Sequence, residues 1–575
     1  MDQYEIDKLL KQIAELQQEL NASKKYGLVW DKEKVEESVV EECTTKIPVL
    51  LPQKKFNITG GKNNNVLIEG DNYYSLISLD TILEEKIDVI YIDPPYNTGH
   101  NDFIYNDKFV DEEDTFRHSK WLSFIQKRLV LAKRLLKADG FIAISIGDQE
   151  LFALKMLCDS VFSENCFVSM LIRKTSSSPR MDAAFIANAT DYCLVYAKNP
   201  KQLKISGSPS PTYDTADTQK LSKDEHFLER GYYILNKLDR GSISYSESCD
   251  YPISCPDGDI AYAGGTKDGW ERRHSGVHGK KDWCWRWNKT KLDWGIKNDF
   301  IVFKKNKVYF KQYEKVDNSL NPIDREVRFS NLLIDPLFAN ENGKQSLIDI
   351  FKRGTFDYPK PVSLIEHIIN LHPNKNAIIF DFFAGSGTTG QAVLELNKKD
   401  GGNRKFILCT NNENNICTDV TYPRLKTVIT GIRPDGSKYS DGIPSNLYYF
   451  KTGFVEDLNN SDQTKYNLAE KVDSLLCIAE DIFDEKERND YSSHFVSSDK
   501  KRHLFIYNDY FNKEKFDEFK ERVIKADGEK VVYVFSFDNN LDESLFDDKS
   551  INVKPIPEKI YEIYKEIAES IKRGE

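Results

Sequence analysis

No stretch of this 575-residue chain reaches the roughly 18 apolar residues that a membrane span needs. The start, MDQYEIDKLLKQ, lacks the apolar core of a secretory signal. None of the ten cysteines falls in a CxxC pair; Cys249 and Cys255 are the closest, and no His-x3-5-His accompanies them. That scatter excludes a disulfide framework, speaks against structural zinc, and predicts reduced thiols in a cytoplasmic protein with no metal. Positive charge is in deficit, 80 Lys and Arg against 91 Asp and Glu, for a net charge of −11. A uniformly basic nucleic-acid coat is therefore excluded, but a local basic face is not. What remains, 40% hydrophobic and 30% charged, suits a soluble globular chain of several domains.

Residues 3 to 20 carry Ile6, Leu9, Leu10, Ile13, Leu16 and Leu20 at helical spacing. Such a helix is too short for a stable free coiled coil and serves equally as a docked helix or a dimer contact. From residue 66 strands and helices alternate: VLIEGD, then NYYSLISLDTIL; DVIYID, then a helix from about Ser119 to Lys137 stopped at Ala138-Asp139-Gly140; FIAISI, then GDQELFALKMLCDSVF. FVSMLIR and DYCLVYAK read as further strands. Alternating βα units predict a mostly parallel, doubly wound sheet. The pattern breaks at about residue 200 and resumes at NAIIFDFFAGSGTTGQAVLELN, which predicts an inserted domain. Past residue 450 come an acidic loop, the strands HLFIYN and KVVYVFSF around a helix from Lys513 to Lys525, and a terminal helix. The expected division is 1–50, a helical region; 51–200 and 346–450, two halves of one α/β domain; 201–345, the insert; and 451–575, a C-terminal α/β domain.

FDFFAGSGTTG places a strand, a Gly385-x-Gly387 turn and a helix start. The turn lets backbone approach a ligand, and the helix N-terminus offers free N–H groups. It has no Gly-Lys-Ser/Thr, so it is not a P-loop, and its glycines miss the usual dinucleotide spacing. Glu413, just past the strand Phe406 to Thr410, can accept from a ribose diol. This half fits an adenosine-containing ligand, either NAD or S-adenosylmethionine.

The stretch VIYIDPPYNTG, Val89 to Gly99, chooses between them. A buried strand ends at Asp93, where open α/β sheets bind ligands. The Asp93 side chain and the Pro94 carbonyl offer two acceptors, which suit one exocyclic amino group with its two hydrogens. Accepting those hydrogens frees a lone pair otherwise delocalised into the ring. Tyr96 can stack on the base, and Pro94 and Pro95 keep the loop rigid.

DPPYNTG and DFFAGSGTTG resemble the catalytic and cofactor motifs of amino-group DNA methyltransferases, and their order is that of the β class. KKYGLVWD, LIEGDNYYSL, YNDKF, GTFDYPKPVSLI and VKPIPEKIYEIY are similar to segments of the modification subunit of type III restriction–modification systems. The resemblance implies a circularly permuted Rossmann-like methyltransferase sheet with an inserted target-recognition domain. It implies Asp93, Pro94, Pro95 and Tyr96 as the catalytic loop. It implies Phe383, Gly385 and Gly387, with Asp381 at the head of the motif, as the cofactor loop. Asp71 resembles the position near the cofactor adenine, and Lys360-Pro361 the segment over the methionine end. Glu413 fits the ribose acid, although TNNE departs from the usual hydrophobic approach. S-adenosylmethionine is the implied cofactor and double-stranded DNA the implied partner. A homodimer and an optional helicase–nuclease restriction subunit are expected, with no membrane.

Five of the seven tryptophans, Trp270, Trp283, Trp285, Trp287 and Trp294, fall within the insert. From Lys267 to Lys311 thirteen Lys and Arg face five Asp and Glu, the footprint of a phosphate-binding face. Most of the tryptophans are expected in that domain's own core. Arg272, Arg273 and Arg286 are candidate base contacts, since arginine pairs bidentately with guanine. Lys304, Lys305 and Lys307 are candidate phosphate contacts.

The leading expectation is therefore site-specific adenine-N6 methylation, because Asp rather than Ser precedes Pro-Pro-Tyr in the resembled family. Cytosine-N4 methylation and a specificity subunit with vestigial catalysis are the alternatives. A nicotinamide oxidoreductase leaves Asp-Pro-Pro-Tyr unexplained.

Overall fold

The computed structural model describes residues 30, 37–99, 103–106, 108–110, 112–176, 186–209, 221–323, 326–456, 464, 467–469, 471–508, 513–535, 546 and 551–556. The amphipathic segment 3–20 and the terminal helix lie outside them.

The main sheet has ten strands: β1 Ile47–Pro52, β2 Asn64–Glu69, β3 Ile87–Ile92, β4 Leu136–Ile146, β5 Phe167–Lys174, β6 Thr190–Ala197, β7 Leu332–Leu333, β8 Ile378–Asp381, β9 Lys405–Thr410 and β10 Asn446–Val455. Their order is β1-β10-β2-β9-β8-β3-β4-β6-β5-β7. From β10 to β4 every neighbouring pair is parallel. β3 is buried along its whole length, as a β-branched run between two neighbours should be. β6 departs from the expected parallel pattern and pairs antiparallel with both β4 and β5. FVSMLIR and DYCLVYAK have no crossover helix between them among the described residues, and a parallel return needs one.

Six helices matter here: α1 Asn72–Leu83, α2 Arg117–Leu135, α3 Leu151–Phe162, α4 Asn340–Phe351, α5 Val362–Ile369 and α6 Thr388–Asp400. The expected stop at Ala138-Asp139-Gly140 is instead the start of β4. Gly140 is there for space, since a Cβ would lie 2.8 Å from the Asp88 carbonyl oxygen.

β3 and β8 pair side by side, with Val89 opposite Ile379 across the ladder. The buried Asp88 carboxylate joins the two halves, accepting from the Ile378 backbone N–H at 2.8 Å, Asn374 at 3.1 Å and Lys137 at 2.8 Å. The C-terminal strands form a separate five-stranded sheet ordered 484–488, 492–496, 502–507, 529–534 and 551–555. A helix over Lys513–Lys525 precedes its fourth strand, as expected.

Chain compactness gives two units, 1–205 with 330–575, and 206–329. Residues 330–345 of the expected insert therefore belong with the first unit, where β7 extends the main sheet. The second unit holds a three-stranded sheet of Tyr233–Lys237, Lys307–Tyr313 and Ile301–Lys304. Its core contains Trp285, Trp287, Phe300, Phe310 and Tyr313.

Candidate functional site

An open cavity of about 1540 Å³ lies at the carboxyl ends of the parallel strands. That exceeds the roughly 300–1,000 Å³ of a single small-molecule site, so two ligands can meet in it. Its lining draws on two neighbouring sets of elements. From the β9–β8 side come Asp71, Asp381, Phe383, Gly385, Thr388 and Glu413. From the β3–β4–β6–β5 side come Asp93, Pro94, Pro95, Tyr96, Asp148 and Asp191.

On the first side, β8 ends at Asp381. Its carboxylate accepts from the Phe383 backbone N–H at 2.9 Å and from the Thr389 hydroxyl at 2.5 Å, which sets the turn. Burial, with nearby Asp93 adding to it, pushes the Asp381 carboxyl up to about 7. Gly385 has φ +47° and Gly387 φ +79°, a left-handed backbone that disfavours side chains. A Cβ at Gly385 would meet nothing closer than 3.8 Å, so that face is open to a ligand. Gly387 does not line the cavity. It caps α6, and a Cβ there would sit 3.1 Å from the Thr421 methyl, so its part is the turn's shape. Asp71 caps α1 by accepting from the Tyr73 backbone N–H at 2.7 Å, and burial raises its carboxyl. Glu413 is exposed on the rim.

On the second side, Asp93 follows the last residue of β3. The Pro95 carbonyl accepts from the Trp121 indole at 2.7 Å, which fastens the loop to α2. Tyr96 lines the cavity, and its hydroxyl is buried without a partner among the described residues. Lys360, which resembles the segment over the cofactor's methionine end, lines the same cavity, and its ammonium lies 2.7 Å from each Asp93 oxygen. Pro361 is buried at the start of α5 and does not line the cavity.

Three buried networks around the site went unread in the sequence. Asn97, at φ +56°, donates to Glu150 at 2.5 Å, and the same carboxylate oxygen meets the His118 ring at 2.5 Å. Arg128 joins Glu37 and Asn72, and Asn72 donates to the Phe382 carbonyl at 3.1 Å beside the cofactor-side turn. Arg424 binds Ser386 and Thr388 from behind that turn, and burial lowers its guanidinium to about 10. Asn97 adjoins the Pro-Pro-Tyr motif and was the one legible signal; the others are lone charged residues far apart in sequence.

In the second unit the candidate residues separate. Arg273 is 3% exposed and locked on Asp250 at 2.7 Å, so it serves the fold and not a base edge. Arg272 is exposed but pairs with Asp282 at 3.1 Å. Arg286 is exposed. Lys304, Lys305 and Lys307 crowd the exposed tip of the hairpin Ile301–Tyr313.

A doubly wound sheet carrying a strand-end Asp-Pro-Pro-Tyr beside a Gly-x-Gly turn defines an α/β protein of the open-sheet class, in which ligands bind at the carboxyl ends of the strands. The family described as DNA methylase, of N6 and N4 methyltransferases, matches residues 87–421, and the chain belongs to that family.

Among individual relatives, the type III restriction-modification enzyme StyLTI Mod subunit of Salmonella typhimurium is 28% identical over 459 residues, 72% of this chain and 65% of the relative. The type II methyltransferase M.KpnI of Klebsiella pneumoniae is 32% identical over 422 residues, covering 71% of this chain and 94% of the relative. The EcoPI Mod subunit of Escherichia phage P1 is 30% identical over 61% of this chain and 58% of the relative. The chain thus spans under two thirds of the length of these two Mod subunits. A solved structure of the PvuII DNA methyltransferase (cytosine-N4-specific) aligns over 64% of this chain at 13% identity and a TM-score of 0.31. No helix among the described residues is long and apolar enough to cross a membrane.

Proposed function

We propose that this chain transfers a methyl group from S-adenosylmethionine to the N6 of an adenine in a duplex DNA sequence, as the modification subunit of a type III restriction–modification system. The carrying observation is the meeting of Asp93 and the Gly385 turn in one cavity from opposite halves of the chain. The open Gly385 face, the rim acid Glu413, and the carboxylates of Asp71 and Asp381 suit a cationic adenosyl ligand. Phe383 would flank it, and Gly387 and Pro361 would support it from behind. When bound, that cofactor supplies an electrophilic methyl on a sulfonium.

The chain's own residues prepare the nucleophile. The target base must leave the stack, because its amino group is shielded in the duplex. Tyr96 stacks on it. Asp93 accepts one amino hydrogen and the Pro94 carbonyl the other, drawing the nitrogen toward tetrahedral geometry and stabilising the positive charge that develops there. Pro95, tied to Trp121, keeps the acceptors in place. Among the candidate contacts in the second unit, Arg286 and the lysines of the 304–307 tip are exposed and would meet DNA. A homodimer and a helicase–nuclease partner complete the reading; a fully active monomer by light scattering at micromolar concentration would remove the dimer. M.KpnI, which aligns along nearly its whole length, favours a second reading as a type II methyltransferase.

Methylation-aware sequencing of DNA from cells expressing the chain tests the activity and gives base, motif and strand together. N4-methylcytosine in place of N6-methyladenine would move the reading to the alternative chemistry. Asp93→Ala should cut single-turnover methyl transfer by ~10²–10³, with cofactor affinity kept within a few-fold. A near wild-type rate would mean the strand-end carboxylate is not catalytic.

A further inference from the structure

Lys360 sits where a substrate group should. Its ammonium contacts both Asp93 oxygens at 2.7 Å and lies 4.9 Å from the centre of the Tyr96 ring. Its side chain is 11% exposed and that of Asp93 24%, so the pair is largely withdrawn from water. Asp93 and Tyr96 are the two groups assigned above to the target base, one for the amino hydrogens and one for the ring. The lysine engages both in the same manner, donating hydrogen bonds to the acid and placing positive charge against the aromatic face.

The backbone beneath the lysine is anchored. Lys360 lies between Pro359 and Pro361, and Pro359 packs so tightly on α4 that a Cβ at Gly343 would fall 2.0 Å from its carbonyl oxygen. Pro361 caps α5. Four rotatable side-chain bonds remain, so the ammonium can swing away while the chain stays put.

We propose that Lys360 is a resident occupant of the target-base site, holding the Asp93 carboxylate until the exocyclic amino group of an extruded base displaces it. The proposal rests on the methyltransferase reading, because only that reading sends a base to Asp93. The ammonium lies against both Asp93 oxygens and over the Tyr96 ring, so a base seated between those two groups has to displace it. A base that offers no amino hydrogens gives Asp93 nothing in exchange for the lysine. Lys360 would thereby discriminate at the capture step, before any bond is made.

The test uses the full chain and a duplex of the sequence found by methylation-aware sequencing, in which the modified adenine keeps its amino group and the adjoining base is replaced by 2-aminopurine. The fluorescence of that reporter rises when the neighbouring adenine leaves the stack. Lys360→Met removes the competitor and should reach half-maximal fluorescence at roughly three- to tenfold lower duplex concentration than wild type. Lys360→Arg keeps the charge and adds a bidentate grip on the carboxylate, so it should need more duplex than wild type. Cofactor binding by calorimetry should stay within a few-fold for both. If Lys360→Met does not fold, Lys360→Gln makes the same comparison. Capture weakened alike by the Met and Arg variants, or unchanged in both, overturns the proposal, since a merely structural lysine has no reason to give opposite signs. Absence of any fluorescence rise with the wild-type protein would instead count against base extrusion and so against the underlying reading.

Discussion

Asp381 is the residue whose charge state most directly couples the site to pH. Its carboxyl is pushed up to about 7 from an ordinary 3.8. The folded protein therefore holds this proton more tightly than the unfolded chain does. The resulting contribution to stability is full below about pH 4 and is lost as pH climbs through about 7. A cationic adenosyl ligand prefers the ionised form, so wild-type affinity for S-adenosylmethionine should rise from about pH 6 to about pH 8. Asp381→Asn should bind more weakly and with a flat pH response. Calorimetry across that range decides, and equal pH dependence in the two proteins would remove Asp381 from the cofactor's surroundings.

Among the elements, the loop proposed as catalytic is bonded to a buried acid from another segment. Glu150 caps α3 and is wholly buried, and its carboxylate receives Asn97 directly after Tyr96. Glu150→Ala leaves the buried Asn97 amide without this acceptor, at a cost of about 1–3 kcal/mol in stability. Methyl transfer should fall by about tenfold while cofactor affinity holds, because the loosened loop belongs to the base side. Glu150→Gln restores a neutral acceptor and should recover most of both losses. Denaturant unfolding alongside single-turnover kinetics checks this; an Ala variant as active as wild type would show that the loop is held by its prolines and Trp121 alone. The loop's extended strand and its arrest at Asp93 were readable in the sequence from β-branched residues followed by prolines. The Glu150 contact was not, since a lone acid at a helix start ordinarily faces water.

At the scale of the whole molecule, an acidic chain keeps a basic tip on its second unit. Lys304, Lys305 and Lys307 stand exposed on one hairpin, where a turn at Lys305 with φ +53° separates the two strands. Reversing all three charges should weaken binding to every DNA sequence alike and lower the salt slope by about 3, if each lysine neutralises one phosphate as proposed. Titrations at several salt concentrations measure the slope. A changed recognition motif with an unchanged slope would make these lysines base readers.

Strands, helices and the two strand-end motifs were determined by the sequence, because apolar periodicity and turn residues act over a few positions. The antiparallel β6 and the extension of the main sheet by residues after 329 depend on which strands become neighbours. No local pattern carries that choice. The sharpest division falls at charged residues. Arg272, Arg273 and Arg286 look alike in sequence, yet Arg273 is sealed on Asp250 while Arg286 stays exposed. Lys360 lies 267 residues from Asp93 along the chain, and only folding brings their charges together. A charge acts through distance, and distance between remote residues exists only after the chain has closed.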